Sequence, residues 1–215
     1  EMFEVQKVGA RYGRATAAHT RYTLGTDTTE NNGAQELIAN AVALGAPAIV
    51  QHFNNAGWRL AHQMISGLQD QGFNIWGEIY PYAAGSTTIN ASFLVPESWI
   101  DVFGRRYEDT MLDPVTGEYY TLETYKATVA SEPTRPIVIF KMPAEDEAKW
   151  LTLKGVTMGS DAVGATPYDA PWDYPFDQLG GTHPRTAGAR GATIRLGREN
   201  NIPMMQLMSI LSYNA

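Results

Sequence analysis

Short apolar runs alternate with longer amphipathic stretches along most of this 215-residue chain. The short runs have the length of buried strands, and the longer stretches space their apolar residues for one buried helical face. Such alternation is typical of βα units, so it predicts an α/β fold with a parallel sheet. The predicted strands are 14–19, 46–50, 73–80, 137–141 and 156–159, and the predicted helices are 34–44, 58–69, 145–153, 192–199 and a last one after Pro203.

Residues 91–136 interrupt this rhythm with a turn at 113–117 and two helical segments, near 99–107 and 122–130. An excursion of this length inside a barrel is usually a lid or a specificity insertion. Four or five strands make half of a closed barrel, and an open parallel sheet would leave two unprotected edges. We therefore expect one partial barrel domain, 1–215, with an insertion at about 91–136, and a larger parent chain.

Composition and charge exclude several classes of binding partner and site for this chain. The net charge is −7 and the basic residues are scattered singly, which argues against nucleic acid as a partner. The absence of cysteine excludes disulfides and cysteine-zinc sites. No apolar run approaches the roughly 18 residues that cross a membrane, so no membrane partner is expected. The sequence does not fix a compartment, and it favours the cytoplasm over secretion because nothing in it demands export.

Three residues with metal-binding side chains stand where strand-like runs stop. His19 and His52 end two runs near the start of the chain, and Asp161 follows the run 156–159. The carboxyl ends of parallel barrel strands meet at one rim, so these side chains are expected to converge there. Neutral imidazoles and a carboxylate suit zinc, and manganese or iron can use the same ligands. A carboxylate beside a metal-bound water can take its proton and pass it on to a leaving amine.

Further polar side chains follow the same strand ends. Tyr80 and Ser86 lie in the loop after the run 73–80, where their hydroxyl groups could polarise a substrate carbonyl. Aromatic packing in a loop bounded by proline and glycine is the structural alternative for this segment. Arg185 lies beyond Asp161 and could hold a substrate carboxylate in a bidentate pair. A single loop arginine is otherwise simply solvated.

Taken in order, these motifs resemble the N-acyl-D-amino-acid deacylase (D-aminoacylase) family of the metal-dependent amidohydrolase superfamily. The matching motifs occur in the family's order, with similar spacing, across nearly the whole chain. They are His19-Thr-Arg21, Ile49-Val-Gln-His52, Tyr80-Pro-Tyr-Ala-Ala-Gly-Ser-Thr87, Gly159-Ser-Asp161 and His183-Pro-Arg185.

The resemblance implies the C-terminal portion of a (β/α)₈ TIM-type barrel of the metal-dependent hydrolase type, holding one or two Zn²⁺ ions. It implies that His19 and His52 are zinc ligands, and that Asp161 is both a ligand and the general acid/base. Tyr80 and Ser86 would hold the scissile carbonyl or the acyl group, and Arg185 would bind the substrate's α-carboxylate. The implied reaction is deacylation of N-acyl-(D-)amino acids by a metal-bound hydroxide, on a small substrate with a free carboxylate.

The chain also departs from the family's pattern. The family's early His-x-His strand and its cysteine ligand have no counterpart here, so the implied partner is the remainder of the same barrel. Where the family often has a second histidine or a lysine after the His52 position, this chain has Phe53 and Asn54. The alternatives are another amidohydrolase, either a cyclic amide hydrolase or a dipeptidase, and a catalytically inactive barrel-derived binding domain.

Overall fold

A computed structural model describes residues 1–21, 32–55, 57–142, 144–161 and 185–213. These residues form two compact units. The first comprises Glu1–Pro81, Met142–Ser160 and Ala189–Ala215, and the second comprises Tyr82–Lys141 and Asp161–Gly188. In the part of the chain that the structure describes, no helix is both long and apolar enough to cross a bilayer.

The first unit is built on a parallel sheet of four strands in the order β1-β2-β3-β7. Its strands are β1 (Thr16–Ala18), β2 (Ala48–Val50), β3 (Ile75–Ile79) and β7 (Val156–Met158). Its helices are α1 (Met2–Arg11), α2 (Asn32–Leu44), α3 (Trp58–Asp70), α6 (Glu147–Trp150), α7 (Arg185–Glu199, which begins in the second unit) and α8 (Met204–Met208). The α/β fold with a parallel sheet that the alternating pattern predicts is therefore confirmed.

The crossover helices α2 and α3 explain why the strands pair in sequence order. Each presents fully buried apolar residues, among them Leu37 on α2 and Ile65 on α3. On β3, Ile75 and Ile79 are likewise fully buried, while the residues between them alternate in exposure. The apolar face of each helix can therefore pack against the apolar side chains of a strand, which recur every second residue. Each βα unit can then add the next parallel strand.

The second unit holds an antiparallel sheet in the order β4-β6-β5, formed by β4 (Ala84–Thr88), β5 (Met111–Leu112) and β6 (Pro136–Phe140), with helices α4 (Tyr107–Thr110) and α5 (Leu122–Ser131). The run 137–141 was expected to continue the parallel sheet, and this expectation is wrong. Strand β6 instead pairs antiparallel with β4 and β5. A continuous apolar run such as Ile137–Ile139 indicates burial on both faces, but it carries no information about the direction of its partner strand.

The helical segment expected near 99–107 is also different in the structure. A single wide turn with π-type hydrogen bonding covers Glu97–Val102, and α4 begins only at Tyr107. Gly104 lies between them with a φ of 63°, in the left-handed region that ends a helix. The second unit includes all of Tyr82–Lys141, and the insertion at about 91–136 stays a prediction.

Gly77 on β3 allows the ring of Phe53 to pack closely against the strand in the first unit. A Cβ atom at Gly77 would lie 2.4 Å from Cε1 of Phe53. We expect Gly77→Ala to lower the free energy of unfolding by about 2 kcal/mol, because an added methyl group overpacks a filled core. Urea denaturation of the variant would measure this loss.

The matched control for that substitution is Gly67→Ala on α3. A Cβ at Gly67 would meet nothing within 4 Å, so alanine should raise stability by up to about 1 kcal/mol. If Gly77→Ala were no more destabilising than Gly67→Ala, the close packing of Phe53 against β3 would not be a constraint.

Candidate metal and substrate site

His19 and His52 meet at the carboxyl edge of the parallel sheet. Strands β1 and β2 pair with Ala18 opposite Val50, so His19 follows the last paired residue of β1 directly and His52 comes two residues after that of β2. Nδ1 of His19 lies 2.8 Å from Nε2 of His52, and the two rings meet edge to face with their centroids 4.5 Å apart. His52 is 7% exposed, whereas His19 is open to solvent. The two imidazoles therefore form one hydrogen-bonded pair.

The backbone at His52 is held in an uncommon conformation. Its φ is 32°, and among the described residues only Asp161 and Asn201 share a positive φ without being glycine. A non-glycine residue in this region costs of order 1–2 kcal/mol and persists only where its surroundings fix it. Two of these three residues are candidate site residues, which is the usual location for stored backbone strain.

The turn after His52 is fixed by contacts to neighbouring backbone. The carbonyl oxygen of His52 accepts a hydrogen bond from Nδ2 of Asn55 at 2.9 Å, and the Phe53 N–H donates to the Glu78 carbonyl at 3.0 Å. Asn54 contacts the backbone of Tyr80, where Nδ2 donates to the carbonyl at 3.0 Å and Oδ1 accepts the N–H at 3.4 Å. These contacts explain how the strained turn is maintained.

The histidine pair fits two positions of a metal site. Two nitrogens bound to one tetrahedral zinc at about 2.0–2.1 Å would be roughly 3.3 Å apart, close to the 2.8 Å between Nδ1 of His19 and Nε2 of His52. A metal would replace the hydrogen bond, because each nitrogen must then present a lone pair. Protein metal sites need at least three or four ligands, and the described residues contain no group of three or more His, Cys, Asp or Glu side chains that could hold an ion.

Tyr80 follows β3 directly and lies near the pair. Its ring centroid is 6.3 Å from that of His52, with the rings at 71° to each other. Its side chain is buried, and its hydroxyl group donates to Sδ of Met142 at 3.8 Å. A thioether is a weak acceptor, so a carbonyl oxygen could replace it at little cost.

Ser86 lies on β4 in the second unit. Its hydroxyl group donates to the carbonyl of Ile137 on β6 at 2.9 Å, so its proton is used within the antiparallel sheet. The oxygen keeps lone pairs that can accept a hydrogen bond. Its role as a substrate contact stays a prediction.

Asp161 and Arg185 border a segment outside the described residues. Asp161 comes three residues after the end of β7, has a φ of 45° and is half-buried. Arg185 begins α7, but its side chain lies outside the described residues, as does His183. The ligand and acid/base roles of Asp161 and the carboxylate-binding role of Arg185 therefore stay predictions.

The residues that sequence reasoning missed are Asn54, Asn55 and Met142. Both asparagines are buried, which is unusual for their residue type. Two consecutive amides that begin two residues after a candidate metal ligand could have indicated contacts to the site, although the sequence also permits them as the start of α3. Met142 gave no signal, because methionine is an ordinary core residue.

Comparison with known proteins gives a structural likeness only. No protein-family profile and no curated protein sequence matches the chain. N-acyl-D-glutamate deacylase from Bordetella bronchiseptica, solved with zinc and a phosphonate mimic of the reaction's tetrahedral intermediate, matches with a TM-score of 0.70 and 18% identity. That match covers 99% of this chain and 44% of the deacylase.

Two further solved structures extend the likeness. D-aminoacylase, for which a binuclear metal centre is described, matches with a TM-score of 0.69 and 16% identity over 99% of this chain and 44% of its own. D-hydantoinase matches with a TM-score of 0.52 and 12% identity over 99% of this chain and 45% of its own. This chain thus spans less than half the length of the proteins it resembles. The resemblance that the motifs indicate is confirmed at the level of the fold.

Proposed function

We propose that this chain is part of a metal-dependent amidohydrolase barrel that hydrolyses C–N amide bonds, with N-acyl-(D-)amino acids as the substrates. The observation that carries the proposal is the contact between His19 and His52 at the ends of neighbouring parallel strands. Metal ligands on adjacent barrel strands have this placement, since catalytic groups of barrels lie on the carboxyl rim. The likeness to two D-amino-acid deacylases supports the choice of substrate class.

The sheet topology supports a barrel rather than an open, doubly wound sheet. Strands β1, β2 and β3 are neighbours in sequence order, and crossovers between parallel strands are right-handed. Helices α2 and α3 then lie on the same face, which is the winding of a (β/α)₈ barrel. We propose that the second unit is an insertion into that barrel.

The site is completed, in this proposal, by further barrel strands. In the part of the chain that the structure describes, β1 and β7 are the edges of the parallel sheet. Parallel sheets are normally covered on both faces. In this sheet, however, Ala17 in the centre of β1 is exposed and Ile49 in the centre of β2 is only half-buried. Additional strands would cover that face and bring the remaining metal ligands, so that the partner is the rest of the barrel.

Zinc is the proposed metal, in one or two ions, held here by His19 and His52 together with Asp161. When bound it supplies Lewis-acid activation of water and of the amide carbonyl. The protein's own groups do the rest. Tyr80 would exchange its bond to Met142 for one to the scissile carbonyl, with Ser86 as a further contact.

The remaining steps fall to two charged residues. Asp161 would take up a proton from the attacking water and deliver it to the departing amine. Arg185 would hold the substrate's α-carboxylate, because a guanidinium matches a carboxylate with two parallel hydrogen bonds. A substrate with a free carboxylate is therefore expected.

A cyclic amide is the second candidate substrate, favoured by the fold likeness to D-hydantoinase. A cyclic amide lacks the free carboxylate that Arg185 would bind. A screen that pairs N-acetyl-amino acids with hydantoins separates the two candidates, since activity on the first set alone supports deacylation.

The test of the proposal is the metal content of the purified protein that carries the complete barrel. We expect about one or two zinc ions per chain by elemental analysis, lost in both His19→Ala and His52→Ala, since each removes a ligand. His62→Ala is the matched control, because His62 on α3 contacts the carbonyl of Lys154 and should leave the metal bound.

Absence of stoichiometric metal from the unaltered protein would contradict this mechanism. The better account would then be a barrel-derived binding domain without catalytic activity. Metal that is retained in both histidine variants would place the metal site elsewhere and remove the structural basis for the proposed roles of Tyr80 and Asp161.

A further inference from the structure

The Asn54 side chain continues the β2–β3 ladder beyond the end of β2. The last paired residue of β2 is Val50, opposite Gly77, and the next contact is the bond from the Phe53 N–H to the Glu78 carbonyl. One residue further along the chain, the contact is made by a side chain. The carboxamide of Asn54 instead binds both the N–H and the carbonyl of Tyr80, at 3.4 and 3.0 Å.

This contact is desolvated and specific. Asn54 is fully buried, at 0% exposure, and both polar atoms of its amide face the backbone of one residue. A buried amide without these partners would cost the desolvation of both groups, so the arrangement has one stable geometry. A lysine or an apolar residue could not satisfy an N–H and a carbonyl at the same time.

The contact joins the two elements on which the candidate chemistry depends. Asn54 lies two residues after His52, and it holds the backbone of Tyr80, whose ring centroid is 6.3 Å from that of His52. We propose that Asn54 is a positioning residue that holds the His52 turn and Tyr80 as one rigid unit. Its catalytic consequence rests on the proposed function, whereas its structural consequence does not.

The alternative is that Asn54 merely caps the end of β2 and stabilises the fold. A structural cap and a positioning residue differ in what its removal changes. Loss of a cap lowers stability and leaves the local geometry of the native state unaltered. Loss of a positioning residue also alters the contact between His19 and His52 and frees the backbone of Tyr80.

Nuclear magnetic resonance of the ¹⁵N-labelled 215-residue chain separates the two. For Asn54→Ala we expect loss of the ring-nitrogen signature of the His19–His52 hydrogen bond. We also expect about tenfold faster hydrogen exchange at the Tyr80 amide, as for one lost hydrogen bond. The control Asn74→Ala removes an exposed asparagine next to β3 and should leave both signals unchanged.

A second control accounts for stability. Ile38→Val trims a buried residue of α2 and lowers stability without touching the site. The proposal would be overturned if Asn54→Ala lost about as much stability as Ile38→Val but left the histidine ring-nitrogen signal and the Tyr80 amide exchange unchanged. If Asn54→Ala does not fold, hydrogen exchange in the unaltered chain tests the proposal instead. There the Asn54 side-chain amide and the Tyr80 amide should show one common opening free energy once each exchange rate is corrected for its intrinsic rate, and unrelated opening free energies overturn the proposal.

The catalytic consequence is tested by steady-state kinetics. The enzyme is the protein that carries the complete barrel, and the substrates are N-acetyl-amino acids. Asn54→Ala should lower kcat about 10- to 100-fold with KM changed less than about twofold, because small misplacements of reacting groups act on the transition state. Absence of hydrolysis by the unaltered protein would defeat the proposed function but leave the magnetic resonance result standing. Unchanged kcat in an active protein would overturn the positioning role.

Discussion

Replacement of Asp161 by asparagine should lower kcat for N-acetyl-amino acid hydrolysis by about 10²–10⁴-fold in the protein that carries the complete barrel. Asparagine has nearly the same shape as aspartate, but it can neither accept a proton from water nor deliver one to the leaving amine. The loss should therefore fall on kcat, while KM changes little, because Arg185 and not Asp161 would bind the ground-state substrate.

Asp161 has an uncommon backbone conformation. Its φ of 45° is strained for a residue other than glycine, and strain of this kind clusters at functional sites. It follows β7, which pairs with the strand that ends in front of Tyr80. A carboxylate at this place lies on the chain segment that leaves the carboxyl edge of the sheet, as the proposed chemistry requires.

Steady-state kinetics with purified variants measures this effect, and Asp70→Asn is the matched control. Asp70 ends α3 and pairs at the surface with Lys154, so its substitution should leave kcat and KM unchanged. Zinc content must be measured on the same samples. A variant with Asp161→Asn that keeps its metal and its full kcat would show that another group moves the proton.

The sequence predicts the histidine pair because two simple rules combine there. Apolar runs of strand length end at His19 and His52, and neighbouring parallel strands end at one edge of a sheet. The structure brings these two side chains into contact. What the sequence cannot show is the direction of the His52 ring, since it depends on a positive φ that no residue pattern marks. Metal binding by the pair remains a proposal.

Other elements could not be predicted, for identifiable reasons. Helix α1 (Met2–Arg11) is not predicted by the sequence pattern, because its buried residue is the polar Gln6 while the apolar Val5 and Val8 are exposed. Nε2 of Gln6 donates a hydrogen bond to the Leu37 carbonyl, while Oε1 has no partner among the described residues. The direction of β6 depends on tertiary pairing with β4. Local patterns report burial and period, and contacts between distant segments decide the rest.

Replacement of Asp146 by alanine should destabilise the chain by roughly 3 kcal/mol at pH 7, because it breaks a buried charged network. The Asp146 carboxylate is only 2% exposed and accepts hydrogen bonds from Nε1 of Trp58 at 2.8 Å, from Arg59 and from Lys149. Arg59 and Lys149 are more than half exposed and can turn to water, whereas the buried indole N–H of Trp58 would be left without its acceptor.

The effect of acid on this network has a defined sign. Burial alone raises the pKa of Asp146, but hydrogen bonds from Lys149 and Trp58 and the charge of Arg59 outweigh it and hold the pKa below its usual value. A carboxyl group whose pKa is lowered by folding stabilises the native state above its unfolded pKa of about 3.9. That stabilisation is lost as the pH falls through the lower pKa of the folded state.

Urea denaturation of the unaltered chain and of Asp146→Ala at pH 7 and at pH 3 measures both effects. The difference in unfolding free energy between the two proteins should be largest at pH 7 and should narrow at pH 3, where part of the wild-type advantage is gone. Asp70→Asn is the control, because its exposed pair with Lys154 should contribute at most about 1 kcal/mol at either pH. A difference that is the same at both pH values would mean that Asp146 stabilises the first unit through packing, and that its ionised carboxylate contributes nothing to holding α6 against α3.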